Sequence, residues 1–367
     1  MAKSKHKFRP RIFLWINQFF VFLLLLTYIS PYVPPQIFWP LSVFGLTYPI
    51  LLLINILFIV FWLILVNKNL IYSLLAILIG WSTLNSHFQL KGAEEPSIEN
   101  SLKVLSFNVK NLSNNNINYA DIKIRSSILT YLEEQNAHII CLQEFQTYPS
   151  KGINTVEEFK AHLSLPYSAE TRYIPKSKFK FVDLMTIFSK YPIIKQQELR
   201  FKNKCYALIA DIAYKKDTIR LFNIHLESNH FNPNEYEIFS STEIGLNEET
   251  GGRLAILFDK LARYSKIRNI QVNHISKLIK KSPYPILICG DFNDTPASYS
   301  YHKLTKNMKD AFVEKGKGYG NTYNGELPPM RIDYILSDTL FQVHQFEIGK
   351  IDKSDHYPII GTLNLSK

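Results

Sequence analysis

The chain has 367 residues, three cysteines and a formal net charge of +11. This length suits one large domain or two small ones. Hydrophobic residues crowd the first 90 positions, where six basic residues and no acidic one occur, which leaves 36 Lys and Arg against 31 Asp and Glu in the remainder. These features exclude a wholly soluble protein, a disordered chain, a strongly basic DNA-wrapping module and a disulfide scaffold.

Three uncharged apolar runs lie in the first 90 residues, at about 12–30, 41–66 and 70–88, and they are 19, 26 and 19 residues long. A helix that spans a bilayer needs about 20 apolar residues. We therefore predict that residues 1–90 form a membrane segment with three transmembrane helices, in contact with the lipid bilayer. A cleaved signal peptide is the alternative for the first run, but no small-residue cleavage site follows it.

The basic residues predict how the segment is oriented, because loops rich in Lys and Arg stay in the cytoplasm. The N-terminus carries five basic residues, the proline-rich loop 31–40 carries none, and Lys68 marks the turn between the second and third runs. Three crossings then place everything after residue 90 outside the cytoplasm, at an inner or plasma membrane. With only two crossings the downstream domain would lie in the cytoplasm instead.

Residues 91–101 are polar and predict a linker. Short apolar runs then alternate with amphipathic stretches, which predicts a single domain at 102–367. The predicted strands are 102–109, 138–143, 184–188, 206–213, 218–226, 285–290, 331–336 and 357–364. The predicted helices are 120–135, 154–163, 253–281 and 297–306. The long polar segment 228–252 has the length and composition of a functional or mobile loop.

Acidic residues, amides and histidines recur on or beside the predicted strands. Each of them alone is weak, because a single Glu at a strand end is commonly solvated and a single His after an apolar run commonly belongs to the core. Together they form six motifs in a fixed order: SFNVKN (106–111), LQE (142–144), NIHLES (223–228), CGDFND (289–294), RIDYIL (331–336) and SDHYP (354–358).

That order resembles the endonuclease/exonuclease/phosphatase superfamily, also called the deoxyribonuclease I-like fold, over residues 102–365. The resemblance implies an α/β (or α+β) domain, a four-layer sandwich of two packed β-sheets flanked by helices, which here follows three transmembrane helices. It also implies a metal-dependent hydrolase that acts on phosphate esters.

The resemblance implies a metal site with Glu144 as the main ligand, helped by Asn108 and Asp355. Carboxylate and amide oxygens are hard ligands that suit Mg²⁺, with Mn²⁺ as a second choice. Softer Zn²⁺ would recruit more His and Cys.

The resemblance also implies roles for the catalytic residues. Asp291 would orient or deprotonate the attacking water, and Asn293 would hold that water or a phosphate oxygen. His356 would bind or protonate the phosphate while Asp333 fixes its tautomer. His225 would stabilise the pentacovalent transition state or assist the leaving group.

Two arginines are candidates for substrate binding. Arg331 either helps to bind substrate or pairs with a carboxylate, and Arg268 either lies beside the site or belongs to a solvated helix face. The sequence therefore leaves the role of each arginine open.

Three functions compete. The first is a membrane-anchored, Mg²⁺-dependent phosphodiesterase or nuclease. The second is a lipid-directed phosphodiesterase or phosphatase, like a sphingomyelinase or an inositol phosphatase, so the phosphodiester substrate is either a nucleic acid or a phospholipid headgroup. The third is a membrane protein that uses the fold only for binding. The nearly balanced charge of residues 91–367 argues against strong nucleic-acid binding, and the intact set of catalytic residue types argues against the third function.

Overall fold

The computed structural model describes residues 11–90, 92, 101–113, 121–147, 155–171, 182–202, 204–231 and 248–366. Most of the predicted linker 91–101 and much of the segment 228–252 lie outside these residues. The part of 228–252 that is described includes the start of a long helix, which begins at Glu248 rather than at 253.

The N-terminal segment forms a bundle of apolar helices. Its helices are α1 (Arg11–Ile29), α2 (Pro35–Phe38), α3 (Pro40–Ile64), α4 (Leu70–Ile79) and α5 (Trp81–His87). Two helical stretches, Arg11–Tyr32 and Pro40–Ile64, are long and apolar enough to cross a membrane. The third apolar run is bent by 73° between α4 and α5, so a third crossing requires both helices to act as one broken span.

A buried polar network ties the three runs of the bundle together. The Asn17 amide on α1 donates to Ser73 Oγ on α4 at 2.6 Å, and the Ser73 hydroxyl donates to Asn55 Oδ1 on α3 at 2.9 Å. Trp62 Nε1 on α3 closes the network by donating to Asn17 Oδ1 at 2.9 Å. Polar side chains among apolar helices need such partners, so the network fixes the mutual register of α1, α3 and α4.

The predicted loop 31–40 is partly helical. Ser30–Tyr32 form a 3₁₀ turn, and α2 follows it with proline at its first position. Proline is favoured there because the first helical N–H groups have no intrahelical partner. The turn that contains Lys68 is present between α3 and α4, as the sequence predicts.

The downstream domain contains two mixed six-stranded sheets. The strands of the first sheet are β2 (Leu102–Asn108), β3 (Ile139–Thr147), β4 (Tyr167–Glu170), β5 (Val182–Ser189), β13 (Phe341–Ile348) and β14 (Ile359–Leu365). Those of the second are β6 (Ile193–Phe201), β7 (Lys204–Tyr214), β8 (Asp217–His225), β9 (Ile286–Asp291), β10 (Met308–Asp310) and β12 (Asp333–Asp338). The first sheet has the strand order β13-β14-β2-β3-β5-β4 and the second has the order β10-β12-β9-β8-β7-β6. Two short strands, β1 (Phe88–Gln89) and β11 (Gly318–Tyr319), pair with each other outside these two sheets.

Helices cover the outer faces of both sheets. These helices are α6 (Ile122–Gln135), α7 (Thr155–Leu163), α8 (Glu248–Ile279) and α9 (Tyr299–Thr305). A fifth helix, α10 (Ala311–Lys315), contributes Ala311 and Phe312 to the apolar cluster between the sheets. One apolar cluster lies between the sheets, a second packs α6 and α7 on the first sheet, and a third packs α8 and α9 on the second. The predicted four-layer α/β sandwich is therefore confirmed.

Local sequence explains where several helices begin and end. Asp121 accepts a hydrogen bond from Lys123 N at 2.8 Å and caps the start of α6, which ends at Asn136 in the left-handed conformation. Ser298 caps α9 in the same way through Tyr301 N. Short polar side chains are favoured at these positions because they bond the free backbone groups of a helix end.

All eight predicted strands occur, with ends that shift by a few residues, and Cys141 and Cys289 are buried within them. The sequence did not predict four strands of the two sheets: β4, β6, β10 and β13. β6 has largely exposed side chains, so its apolar residues do not alternate cleanly, and an irregularity between Val343 and Gln345 interrupts the alternation of β13.

Each sheet contains one parallel strand pair, and these two pairs place the candidate site. β2 runs parallel to β3 in the first sheet, and β8 runs parallel to β9 in the second. Asn108, His225 and Asp291 are the last residues of their strands, and Glu144 lies in β3 just beyond the paired part. Carboxyl ends of parallel strands share one sheet edge, so the two edges meet with these four side chains together.

Candidate active site

The carboxylate of Asp291 is the centre of the candidate site. The Asn108 and Asn293 amides both donate to its Oδ2, each at 3.1 Å. The Asn293 backbone N–H donates to Oδ1 at 2.7 Å. The side chain is only 1% exposed. Asp291 is therefore held rigidly by donors from both sheets.

Glycine immediately before Asp291 lets the two parallel strands approach. Gly290 has φ +137, and a Cβ placed there would lie 1.9 Å from Ile224 O on β8. Glycine is the residue that accepts both this backbone conformation and this proximity. Gly290 thus brings Asp291 beside His225, the residue after Ile224.

Glu144 lies on the other side of Asn108 and is more open. The Asn108 amide donates to Glu144 Oε1 at 3.3 Å, so one amide bridges the two carboxylates. Glu144 has φ +50 and falls where the pairing between β3 and β5 shifts register. Such an irregularity redirects a side chain out of the sheet, and the Glu144 side chain is 31% exposed.

The two predicted histidines face Asp291 from different directions. His225 Nε2 lies 3.7 Å from Asp291 Oδ2 and 3.4 Å from Glu144 Oε1. His356 Nε2 also lies 3.7 Å from Asp291 Oδ2, and its Nδ1 makes a 2.9 Å hydrogen bond with Asp333 Oδ2. The structure thus brings together seven predicted residues: Asn108, Glu144, His225, Asp291, Asn293, Asp333 and His356.

The charges of these groups differ because their surroundings differ. Burial raises the pKa of Asp291 to about 7, Asp333 adds to the rise, and His356 opposes it. Burial by itself lowers the pKa of His356, but Asp333 and Asp291 outweigh it and raise the pKa to about 10. Burial holds the pKa of His225 well below its usual range, and nearby Lys204 adds to this. At neutral pH, His356 is therefore cationic and His225 neutral.

The donor set fits a divalent cation. Although the Glu144 side chain is 31% exposed, its partial withdrawal from water raises its pKa, while His356 opposes this and Asp355 adds to the rise. His225 Nε2 is buried and has no hydrogen-bond partner among the described residues, although two carboxylate oxygens lie within 4 Å of it. Carboxylate and amide oxygens that converge on one space are the ligands that a hard cation prefers.

Asp291, Asp333 and His356 could also hold a metal ion, since each offers one ligand atom and these atoms lie within 4.8 Å of one another. This group differs from the predicted ligands. The 2.9 Å contact between His356 and Asp333 is already an ordinary hydrogen bond, whereas the side chain of Glu144 is 31% exposed to solvent. The open side near Glu144 and Asn108 therefore suits a cation better.

Asp355 does not join the central cluster as a direct partner of Asp291. Its carboxylate pairs with Lys110 Nζ at 2.9 Å. The adjacent Ser354 hydroxyl donates to Asn108 O at 2.7 Å and accepts from His356 N at 3.2 Å. The SDH sequence thereby links the end of β2 to His356.

Neither candidate arginine contacts the central carboxylates. Arg331 is 2% exposed and pairs with Asp310 at 2.8 Å among the rings of Tyr301, Phe312 and Tyr334. This placement matches the alternative that Arg331 pairs with a carboxylate, and it leaves no open face for substrate.

Arg268 does not lie on a solvated helix face, because its side chain is 1% exposed. It donates to Asp294 Oδ2 at 3.2 Å, to Glu227 O at 2.9 Å and to Asn229 Oδ1 at 3.0 Å. Arg268 therefore connects the segment after β8 to the loop after β9, and it stabilises the loop that carries Asn293 without contacting the central carboxylates.

Several residues that frame the site were not assigned from the sequence. Gln143 Nε2 donates to Asn223 Oδ1 at 2.7 Å, and Asn223 Nδ2 donates to Leu142 O at 3.0 Å, which joins the two sheets below the carboxylates. The Thr322 hydroxyl accepts from Asp333 N at 3.1 Å. Gln143 lies in the LQE motif and Asn223 in the NIHLES motif. An amide side chain within an apolar strand was the feature of the sequence that could have indicated their role.

The two packed mixed sheets bring carboxylates, amides and imidazoles together where their edges meet, and these residue types suit metal-dependent hydrolysis of phosphate esters. Residues 105–356 match the model of the endonuclease/exonuclease/phosphatase family. The chain belongs to the endonuclease/exonuclease/phosphatase family and is a hydrolase of this type. Residues 10–87 match a separate model, described as a domain of unknown function.

Solved structures share this fold at low sequence identity. A TDP2 from D. rerio, humanized by 14 mutations, is 18% identical with a TM-score of 0.50, and the match covers 72% of this chain and 99% of that one. An endonuclease/exonuclease/phosphatase family protein from Leptotrichia buccalis is 16% identical with a TM-score of 0.50, over 72% and 99%. A comparison with curated proteins gives no match.

Proposed function

We propose that this protein is a membrane-anchored, Mg²⁺-dependent phosphoesterase that hydrolyses phosphodiester bonds by in-line attack of an activated water. The observation that carries the proposal is the Asp291 carboxylate, held by two amides between two imidazoles. A carboxylate with a pKa of about 7 is suited to accept a proton near neutral pH.

The surrounding residues complete the division of labour. Asn293 orients the water against Asp291, and protonated His356 donates to a phosphate oxygen while Asp333 fixes its tautomer. His225 Nε2 is left to contact the phosphate as it becomes pentacovalent. Glu144 and Asn108 would hold Mg²⁺, which when bound offsets negative charge on the phosphoryl group.

The helical bundle would anchor the catalytic domain on one side of a membrane. The segments of the bundle that touch the catalytic domain include residues at 30–48 and 87–89, which belong to one end of the bundle. Arg11, the first residue of α1, and Lys68, between α3 and α4, belong to the opposite end. By the positive-inside tendency, the three runs cross the membrane and the catalytic domain lies outside the cytoplasm.

A second candidate is a lipid-directed phosphodiesterase or phosphatase. The Thr295 hydroxyl donates to Gly45 O on α3, five residues or about 7.5 Å into that helix. Asn293 is two residues from Thr295, so their Cα atoms are at most about 7.6 Å apart. The exposed Ile37, Phe38 and Phe258 lie on α2 and on α8, which packs against it. A site so close to an anchored helix would meet lipid headgroups more easily than a long duplex.

The test uses the full chain in nanodiscs, with and without Mg²⁺. Bis-p-nitrophenyl phosphate, p-nitrophenyl phosphate, plasmid DNA and sphingomyelin would be assayed in parallel, with Glu144→Ala and His356→Ala as controls. Metal-dependent hydrolysis that both substitutions abolish would support the proposal, and the preferred substrate would choose between nucleic acid and lipid. A folded protein with no activity on any of the four would contradict it.

A further inference from the structure

The loop that follows Asp291 is packed against the helical bundle. The Thr295 hydroxyl, which is buried, donates to Gly45 O on α3 at 3.0 Å. Ala297 is fully buried in the same apolar cluster as Leu24, Tyr48 and Ala76, which belong to α1, α3 and α4. One residue of the catalytic domain is therefore part of the core of the bundle.

Gly45 makes this contact possible. A Cβ at position 45 would lie 2.6 Å from Ala297 O and 2.9 Å from Ser30 Oγ. The first of these atoms is backbone, so a larger residue would displace the loop or the helix. Helices in membranes use small residues where another backbone approaches closely, and here the approaching backbone is that of the loop after Asp291.

The opposite side of the same loop is held by the catalytic domain. Asp294 Oδ2 accepts from Arg268 Nε at 3.2 Å and from Ser300 Oγ at 2.8 Å. Asp294 O accepts from Tyr334 OH at 2.8 Å. The loop is thus fixed between the second sheet with its helix α8 on one side and α3 on the other.

Asn293 is the residue of this loop that touches the reacting carboxylate. It lies directly before Asp294 in the left-handed conformation, with φ +50, and its amide donates to both Asp291 Oδ2 and Leu226 O. A shift of the backbone at Thr295 would reach Asn293 over two peptide units, and a shift at Ala297 would reach it over four. Displacements of about 1 Å in a catalytic group lower rates by up to about 100-fold.

We propose that α3 is a positioning element of the active site. Gly45, through Thr295 and Ala297, sets the position of Asn293 and thereby the orientation of water at Asp291. The membrane segment is then required for full catalytic rate as well as for anchoring. This inference rests on the proposed function, because the role of Asn293 belongs to it.

The test compares Thr295→Val, which removes the hydroxyl at nearly constant volume, with Thr295→Ser, which keeps it. Both are measured in the full chain in nanodiscs, together with Gly45→Ala and a control, Leu53→Ala, on the exposed face of α3. Thr295→Val and Gly45→Ala should lower kcat between about 10-fold and 100-fold with little change in KM. Thr295→Ser and Leu53→Ala should behave like the unmodified protein.

Hydrogen–deuterium exchange gives a second readout that does not depend on activity. Ser298 N donates to Thr295 O at 3.0 Å, and Asn293 N donates to Asp291, so these amides should exchange faster in Thr295→Val and Gly45→Ala only. Unchanged exchange at both amides would overturn the inference. So would a kcat of Thr295→Val and Gly45→Ala equal to that of the Leu53→Ala control. If no form hydrolyses any phosphodiester, the proposed function fails, and the exchange data still decide whether α3 orders the loop.

Discussion

The two sheets of the catalytic domain deliver the same kind of residue to the site in different surroundings. In each sheet a parallel strand pair ends at the site, and each pair contributes one carboxylate and one nitrogen-bearing side chain. The first sheet supplies Glu144 and Asn108, and the second supplies Asp291 and His225. The repetition arises because parallel strands place their carboxyl ends at one edge.

The two carboxylates differ in access and in partners. Glu144 is 31% exposed, and the amide of Asn108 contacts it at 3.3 Å, whereas Asp291 is 1% exposed and accepts three hydrogen bonds from two asparagines. An open carboxylate can exchange a hydrated cation, and an enclosed one can hold a single water and its proton. Burial, not residue type, therefore separates the proposed metal side from the proposed proton side.

Asp291→Asn tests the proton side most directly. We expect kcat to fall by about 100-fold to 10,000-fold, the range for loss of a general base, since the amide keeps the shape but cannot accept the proton. Steady-state kinetics with saturating Mg²⁺ would measure this. The far-ultraviolet circular dichroism spectrum serves as the control for folding. An activity that added Mg²⁺ restores would instead assign Asp291 to the metal side.

Asp333→Asn should lower kcat by on the order of 100-fold, near the lower end of acid–base contributions, because His356 loses the carboxylate that keeps it protonated. Titration of Mn²⁺ followed by electron paramagnetic resonance should give the same metal affinity as in the unmodified protein. A marked loss of Mn²⁺ binding would show that Asp291, Asp333 and His356 hold the ion.

Glu144→Gln should weaken binding of Mg²⁺ or Mn²⁺ by about 10-fold to 100-fold or more, since even outer ligand partners contribute that much. The concentration of metal that gives half-maximal activity would rise accordingly, and high Mg²⁺ would recover part of the rate. Asp291→Asn, measured under the same conditions, is the matched comparison and should not recover. Equal recovery in both variants would remove the distinction between the two sides.

Arg331→Met should have the smallest effect on catalysis by folded protein. It leaves Asp310 buried without its cation, so the free energy of unfolding should fall by about 3–5 kcal/mol, seen as a lower thermal unfolding midpoint of the catalytic domain. The double variant Arg331→Met/Asp310→Asn should regain part of this loss. A large rise in KM with normal stability would return Arg331 to the substrate-binding residues.

Most residues of the candidate site could be predicted from the sequence, because the motif residues lie at strand ends and the motifs follow one another in a recognisable order. Asp291 with Asn293, and Asp333 with His356, could be assigned before their contacts were known. Arg268 could not, since a single Arg on an amphipathic helix looks the same whether it faces water or a buried carboxylate. Arg331 begins a predicted strand and kept two alternatives open, because the sequence does not show whether its guanidinium meets a buried carboxylate or substrate.

The sequence by itself determined the apolar N-terminal runs, the α/β alternation and the residue types of the site, since these depend on local hydrophobicity and on strand and turn preferences. Only the tertiary structure decided which carboxylate is enclosed, which arginines are buried and that the loop after Asp291 rests on α3. These features depend on contacts such as that between Gly45 and Thr295, 250 residues apart. Local sequence patterns cannot predict a contact between residues so far apart in the chain, because the packing of helices and strands against one another determines it.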